Sequence, residues 1–487
     1  MECCNFVLVI IIVIVVIMKK KLLLWAIPIL LLLCGTWSVV IYLNGKKPRK
    51  RYFTAEELPN ASIFLPAPPD VESPLFADDY SQWMWGKSVR PTQRGQRASW
   101  ESLYGMGRME TVFGEAMGMT ISKEATPAIW WFMYRAGRTG NESTALAKKK
   151  YMRQRPFDRM NEQTSGEFDD EESLRQSGSY PSGHTGLGWS TALALAEMAP
   201  ELQDTILRRG YEYGQSRVIV GAHWQSDVDA AYLAASAAIA RMHTSPEYWR
   251  DLEAARAEYR RLKNHEKMVV CVGYPDREKV LDAPVDTASH RFYGDITEDM
   301  LARMERTTER GRLAIADMAC TVQYFMQSFA ACVGERLDAS QAPAITALME
   351  KVHAELSLVA AEAKSDDFRK RPFVQLSTPT AIPAMESSLR MSSSYPSSHS
   401  LLGWGLALVL VEVMPDFQNV LLTRGFEYGR SRVIIGYHYA SDVRDARLIA
   451  ACALPRMHND VEFVKLLEAA QKEYAHLKMK SLLSRLD

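Results

Sequence analysis

Lys148 is followed, after six intervening residues, by Arg155-Pro156; Pro181-Ser182-Gly183-His184 comes next, and then Ser216-Arg217, five residues, His223, three residues and Asp227. Residues of these types, in this order, can hold and attack a tetrahedral anion. Lys148, Arg155 and Arg217 supply positive charge, and each guanidinium offers a planar fork that matches two anion oxygens. Ser182-Gly183-His184 leads into a helical run, so its backbone N–H groups can face an anion with the helix dipole behind them. Gly183 lets the backbone come close. The i, i+4 spacing of His223 and Asp227 predicts that both lie on one face of a helix. There a carboxylate would hold one imidazole nitrogen as a donor and leave the other free to attack. His184 then remains as the proton donor to a leaving oxygen.

The same blocks occur twice. Residues 179–201 match 394–416, and 209–231 match 424–446, each at an offset of 215. Upstream, 148–157 matches 364–373, and the tails 241–263 and 456–478 also correspond. A period of this size is a whole domain and not a solenoid unit. The second set of candidates is Lys364, Arg371-Pro372, Pro396-Ser397, His399, Ser431-Arg432, His438 and Asp442. One position departs: Ser398 replaces the glycine, which keeps the N–H donor but adds a Cβ where the backbone meets the anion.

These repeats divide the chain into a leader (1–51), a first copy (52–265) and a second copy (266–487). The join near Asn264–Met268 is short and polar, so the copies are expected to pack on each other or sit close. Segments 186–199, 228–242 and 246–263 carry apolar residues at helical spacing and are rich in helix formers. Pro181, Gly183, Pro200, Gly210 and Pro246 punctuate them. With no series of alternating strands, the expected class is all-α, as two tandem helical-bundle domains.

Composition narrows the reading further. The 487 residues are 47% hydrophobic and 24% charged, which is ordinary for a globular protein. Lys plus Arg and Asp plus Glu are both 58, so no basic excess supports a nucleic-acid partner. Trp130 and Trp131 read as core, and His243 and His458, which recur in an Arg-Met-His triplet, as structural or surface residues. Cys3, Cys4 and Cys34 lie in the leader, and Cys271, Cys320, Cys332 and Cys452 in the second half. They form no zinc-type spacing, and read as buried apolar residues or one disulfide with no preferred pairing.

The leader joins an apolar run (6–18), Lys19–Lys21 and a second apolar run (22–44). Read from Met18, which is an alternative start, this is a basic segment before an apolar one, as in a secretory signal. The second run is also long enough to span a bilayer. The expectation is a periplasmic or otherwise exported protein, with the leader cleaved or kept as an inner-membrane anchor and no other membrane contact. The basic cluster Lys46, Lys47, Arg49, Lys50 and Arg51 favours a cytoplasm-facing alternative.

Taken together, KKKYMRQRPF, GSYPSGHTGLGWSTAL, RGYEYGQSRVIVGAHWQSDVDAA and LPAPPD (65–70) resemble the type 2 phosphatidic acid phosphatase / vanadium haloperoxidase superfamily. Within it they are most similar to the bacterial class A nonspecific acid phosphatases. The resemblance covers nearly all of 60–263. It implies hydrolysis of small phosphate monoesters through a phosphohistidine. His223 would be the nucleophile, Asp227 its orienting group and His184 the acid. Lys148, Arg155, Ser182, Gly183 and Arg217 would hold the phosphoryl oxygens. By position the second copy offers His438, Asp442 and His399, with Lys364, Arg371, Ser397, Ser398 and Arg432 around them. The resemblance implies no cofactor and no metal, with vanadate as an inhibitor. A vanadium-dependent haloperoxidase and a non-catalytic second copy are the alternatives. An integral lipid phosphatase would need membrane spans within the catalytic region, which are absent from the sequence after residue 44. A homo-oligomer is left open. The acidic run 167–173 is expected as a solvated loop that could also lie over the site mouth.

Overall fold

The computed structural model describes residues 50–168, 171–263, 273–334, 340–365 and 368–483. Residues 1–49 of the expected leader, the expected join, Cys3, Cys4, Cys34 and Cys271, and two residues of the acidic run fall outside them. Helices are the only regular elements among the described residues. None of those helices is long and apolar enough to cross a membrane.

The helices that matter for the site are these. In the first copy they are α1 (Phe76–Val89), α2 (Gln93–Glu101), α3 (Pro127–Glu142), α4 (Ala145–Tyr151), α5 (Gly183–Met198), α6 (Gln203–Ile219), α7 (Gln225–Met242) and α8 (Pro246–Leu262). The second copy has α9 (Arg291–Met304), α10 (Glu309–Ala316), α11 (Pro343–Ser365), α12 (Ser398–Val413), α13 (Gln418–Ile434), α14 (Ala440–Met457) and α15 (Val461–Leu483).

Proline opens α3, α8 and α11, where its missing N–H costs nothing. Helix α5 is buried on every side, as expected for a helix with small and apolar residues all round. It packs against α3, α6 and α7, and α12 is enclosed in the same way by α11, α13 and α14.

The copies differ at one informative place. The first breaks between α3 and α4 at Ser143-Thr144, where the second runs unbroken through α11. Ser143 Oγ donates to the Gly140 carbonyl at 2.7 Å, and Thr144 Oγ1 to the Asn141 carbonyl at 2.9 Å. Hydroxyls that bond nearby carbonyls compete with the helix ladder. The second copy has Val359 and Ala360 at these positions, so nothing competes.

The two copies share one apolar core. A single cluster of buried side chains includes Leu193, Leu195 and Met242 of the first copy and Leu408, Leu410 and Met457 of the second. Helix α7 contacts both α12 and α14, and α5 contacts α14. Cys320, Cys332 and Cys452 are free thiols. Trp130 and Trp131 are half-buried and stack with Tyr134, and Trp130 packs against the main core.

Candidate active site

Backbone hydrogen bonds draw the three sequence blocks of the first copy together. The Phe157 N–H donates to the Gly221 carbonyl at 3.2 Å, joining the Arg155-Pro156 block to the histidine block. The Ser182 N–H donates to the Asp227 carbonyl at 2.9 Å, and the Ser179 N–H to the Arg153 carbonyl at 2.8 Å. Gly221, at φ +80°, turns the chain out of α6 just before His223, and Gly436 does the same at φ +84° in the second copy. Few residues other than glycine adopt that region.

The expectation that His223 and Asp227 share a helix face needs correcting. Trp224 is extended (φ −74°, ψ 158°) and caps α7, so the helix starts at Gln225 and His223 lies before it. Asp227 sits in the first turn, where its Oδ2 accepts the Trp224 N–H at 2.8 Å. His223 Nδ1 still lies 3.5 Å from that oxygen, because the cap folds the chain back over the helix end. The second copy repeats the arrangement with Tyr439 as cap; there Asp442 stands 3.8 Å from His438 Nδ1.

The hydrogen bonds fix the tautomer of both histidines. Arg155 Nη1 lies 2.9 Å from His223 Nε2. A guanidinium can only donate, so Nε2 is the acceptor and the proton sits on Nδ1, toward Asp227 and toward Ser179 Oγ at 3.4 Å. In the second copy Arg371 Nη1 lies 3.2 Å from His438 Nε2, and His438 Nδ1 donates to the Ser394 carbonyl at 2.6 Å. His184 is oriented differently. Its Nε2 donates to the Glu101 carbonyl at 3.0 Å and its ring stacks on Tyr213 at 4.4 Å, so Nδ1 is the nitrogen free to exchange a proton. His399 Nε2 donates to the Met318 carbonyl at 3.2 Å.

The cations lie around these rings. Lys148 Nζ donates to the Gly178 carbonyl at 2.9 Å, and Lys364 Nζ to the Ser393 carbonyl at 2.9 Å. Arg155 is anchored by the Ala222 and Leu174 carbonyls at 3.0 and 2.8 Å. Arg217 lies 5.1 Å from the ring of Phe168, in the acidic run, which places that loop against the site. Arg217 Nε and Arg432 Nε are buried without a partner, so each can donate to an anion oxygen. Ser182 caps α5, accepting the Thr185 N–H at 3.2 Å, and the helix begins at Gly183. Ser397 and Ser398 hold the same places at the start of α12.

Charge crowding is visible throughout the cradle. Burial, reinforced by neighbouring cations, lowers Lys148 well below its ordinary value and Lys364 to about 7. Burial pushes Arg155 and Arg371 to about 10 and Arg217 to about 9. The same burial, with Arg217 beside His184, Arg155 beside His223 and Arg371 beside His438, pushes these three imidazoles well below their ordinary value, and with Arg432 nearby takes His399 to about 3. Asp227 is buried too, yet Arg153 and His223 hold its carboxyl well below the usual range. For Asp442 burial outweighs Arg369, and the carboxyl moves up.

Sequence reasoning missed the layer that holds Asp227. Arg153 bridges Asp227 and Asp79, at 2.7 Å to each, and Ser226 Oγ donates to Asp79 at 2.7 Å. In the second copy Arg369 bridges Asp442 and Asp295, at 2.5 and 2.8 Å. Ser179 and Ser394 also donate to the two carboxylates. The signal for Arg153 was present, since RQRPF and RKRPF keep an arginine two places before Arg155 and Arg371.

The PAP2 superfamily model matches residues 131–251 and again 360–464. A non-specific acid phosphatase of Providencia stuartii is 42% identical over 218 residues, 45% of this chain and 88% of the relative. One of Salmonella typhimurium is 38% identical over 42% of this chain and 83% of its own length. An acid phosphatase of Zymomonas mobilis is 36% identical over 45% of this chain and 82% of its own length. Relatives covered almost whole, yet matching under half of this chain, are what a doubled unit would give. The chain belongs to the PAP2 superfamily, as a tandem duplication of the non-specific acid phosphatase unit.

Proposed function

We propose that each copy hydrolyses small phosphomonoesters through a phosphohistidine, with side chains supplying the positive charge and no metal at the phosphate. The observation that carries this reading is the His223 tautomer, with a basic Nε2 turned to Arg155 and a protonated Nδ1 turned to Asp227. The anion displaces the Arg155–His223 contact and takes its place among Lys148, Arg155, Arg217, Ser182 and the Gly183 N–H.

The His223 Nε2 lone pair attacks phosphorus, forming an N–P bond as the P–O bond to the alcohol breaks. The leaving oxygen takes a proton from His184 Nδ1, whose ring stays anchored through Nε2 on the Glu101 carbonyl. Water then gives a proton back to His184 as its oxygen attacks phosphorus, and the N–P bond breaks to return the pair to His223. The cradle stabilises the charge on the equatorial oxygens in both steps. The acid must be protonated in a site whose cations oppose it, so low pH is expected to favour turnover. The second copy runs the same steps with His438, Asp442 and His399. The basic-then-apolar leader supports export of the chain, with the leader as its membrane contact.

Quenching the enzyme in alkali during turnover of a phosphorus-radiolabelled monoester tests the reading. Labelled phosphohistidine is expected in the wild type, partial label in His223→Asn and in His438→Asn, and none in the double variant. Full turnover by the double variant would overturn it.

A further inference from the structure

The chain carries a second histidine cluster, remote from the phosphate sites. His243 and His458 cap the C-terminal ends of α7 and α14. Both are fully buried, and their ring centroids lie 3.8 Å apart across the seam between the copies. Glu197, near the end of α5, and Glu412, near the end of α12, complete the group. Glu197 is thirteen residues beyond His184 on one helix, roughly 20 Å away at the rise of an α-helix. Nothing in the phosphate chemistry uses these side chains.

Three observations point to a ligand. One donor atom each from Glu197, His243 and His458 lies within 4.8 Å of the other two, and His243 Nε2 is 3.0 Å from Glu197 Oε2. A tetrahedral zinc site has bonds of about 2.0–2.1 Å, so its donors stand only slightly farther apart than this pair. Second, Glu197 Oε1 is buried with no hydrogen-bond partner, a costly state for a carboxylate oxygen. Third, the outer partners are those a metal-bound imidazole uses. His243 Nδ1 lies 3.0 Å from Glu412 Oε1, and His458 Nδ1 lies 3.0 Å from the Leu454 carbonyl. With a proton on each Nδ1, His243 Nε2 faces Glu197 Oε2 at 3.0 Å and His458 Nε2 faces Glu412 Oε2 at 2.9 Å, so an ion bound by the two Nε2 atoms takes the place of these contacts.

Charge balance agrees. Two carboxylates and two neutral imidazoles carry two negative charges, which one divalent cation cancels. Loading the site is a binding step with no redox change.

We propose that Glu197, His243 and His458 form a structural site for a divalent transition ion, zinc by the chemistry of its donors, which pins the two copies together. The inference does not depend on the phosphatase reading.

The protein is tested whole. It is unfolded with a chelator, refolded with or without zinc, freed of excess metal and analysed for bound zinc. A stoichiometric ion is expected in the wild type, together with a higher thermal midpoint than in the zinc-free sample. Glu197→Gln, which keeps size and hydrogen bonding, should lose both effects; His458→Gln is the second variant, should the first fail to fold. Cobalt(II) refolded into the wild type should give the visible absorption of a tetrahedral site. Phosphatase activity on a small monoester should survive removal of the metal at temperatures where both forms are folded, which separates this site from the catalytic ones. Equal zinc content and equal midpoints in wild type and Glu197→Gln would show a hydrogen-bonded proton cluster and overturn the proposal.

Discussion

Gly183 lies so close to Asn141 that a Cβ built on the glycine would stand 2.4 Å from the Asn141 Oδ1, with Thr144 Oγ1 next at 3.4 Å. In the register that pairs Lys148 with Lys364, the second copy replaces these neighbours with Ser357 and Ala360. By this register smaller residues stand opposite Ser398 than opposite Gly183, so the substitution that marks the second site has a sequence counterpart on α11.

Gly183→Ser in the first copy should therefore overpack the site and displace an anion-facing N–H. Overpacking costs about 1–3 kcal/mol, and tenfold in rate corresponds to about 1.4 kcal/mol. Measured in a His438→Asn background, kcat/KM is expected to fall roughly ten- to a hundredfold. Adding Asn141→Ser and Thr144→Ala should restore most of it. No loss in the single variant would mean that packing does not dictate the glycine.

Arg153 neutralises two buried carboxylates at once. Arg153→Ala leaves Asp79 and Asp227 facing each other without a cation. Removing one partner of a buried ion pair typically costs about 3–5 kcal/mol, and a loss of this size is expected in urea unfolding. Arg153→Lys should recover only part of it, because an ammonium cannot present the planar fork that reaches both acids. Adding Asp79→Asn to Arg153→Ala should lessen the loss by removing one of the two opposed charges.

Lys364 gives the second site a pH signature. Its ammonium is held at about 7, against an ordinary value of 10.5, by burial and then by Arg371. Between these values the unfolded chain holds a proton that the folded chain has released, so this residue makes stability rise with pH across the window and withholds that gain below about 7. A bound anion reverses the preference by favouring the charged form. Vanadate affinity in a His223→Asn background should therefore weaken as pH rises through about 7. Lys364→Arg, whose guanidinium stays protonated, should hold its affinity at pH values where the wild type loses it. Parallel curves for the two proteins would sink this assignment.

What the sequence could and could not reveal follows from where the information sits. The blocks around Arg155, Ser182 and His223 are local strings, so the candidate residues and the repeat were readable directly, as was the helical class. The placement of His223 before the helix was not readable, because spacing alone cannot say that Trp224 is extended. Asp79 was out of reach as well, since its link to Arg153 spans 74 residues and its surroundings have diverged between the copies. His243 and His458 read as isolated residues, with burial left open; only the docking of α7 on α14 brings them into contact.

The core shared by both copies has a consequence for how the molecule exists in dilute surroundings. Two separate subunits with such a seam would associate by collision and part again when scarce. A common backbone makes their meeting intramolecular, at an effective concentration that dilution cannot change. It also fixes the ratio of the glycine-type and serine-type sites at one to one in every molecule, so the two can drift toward different substrates without either half losing its partner.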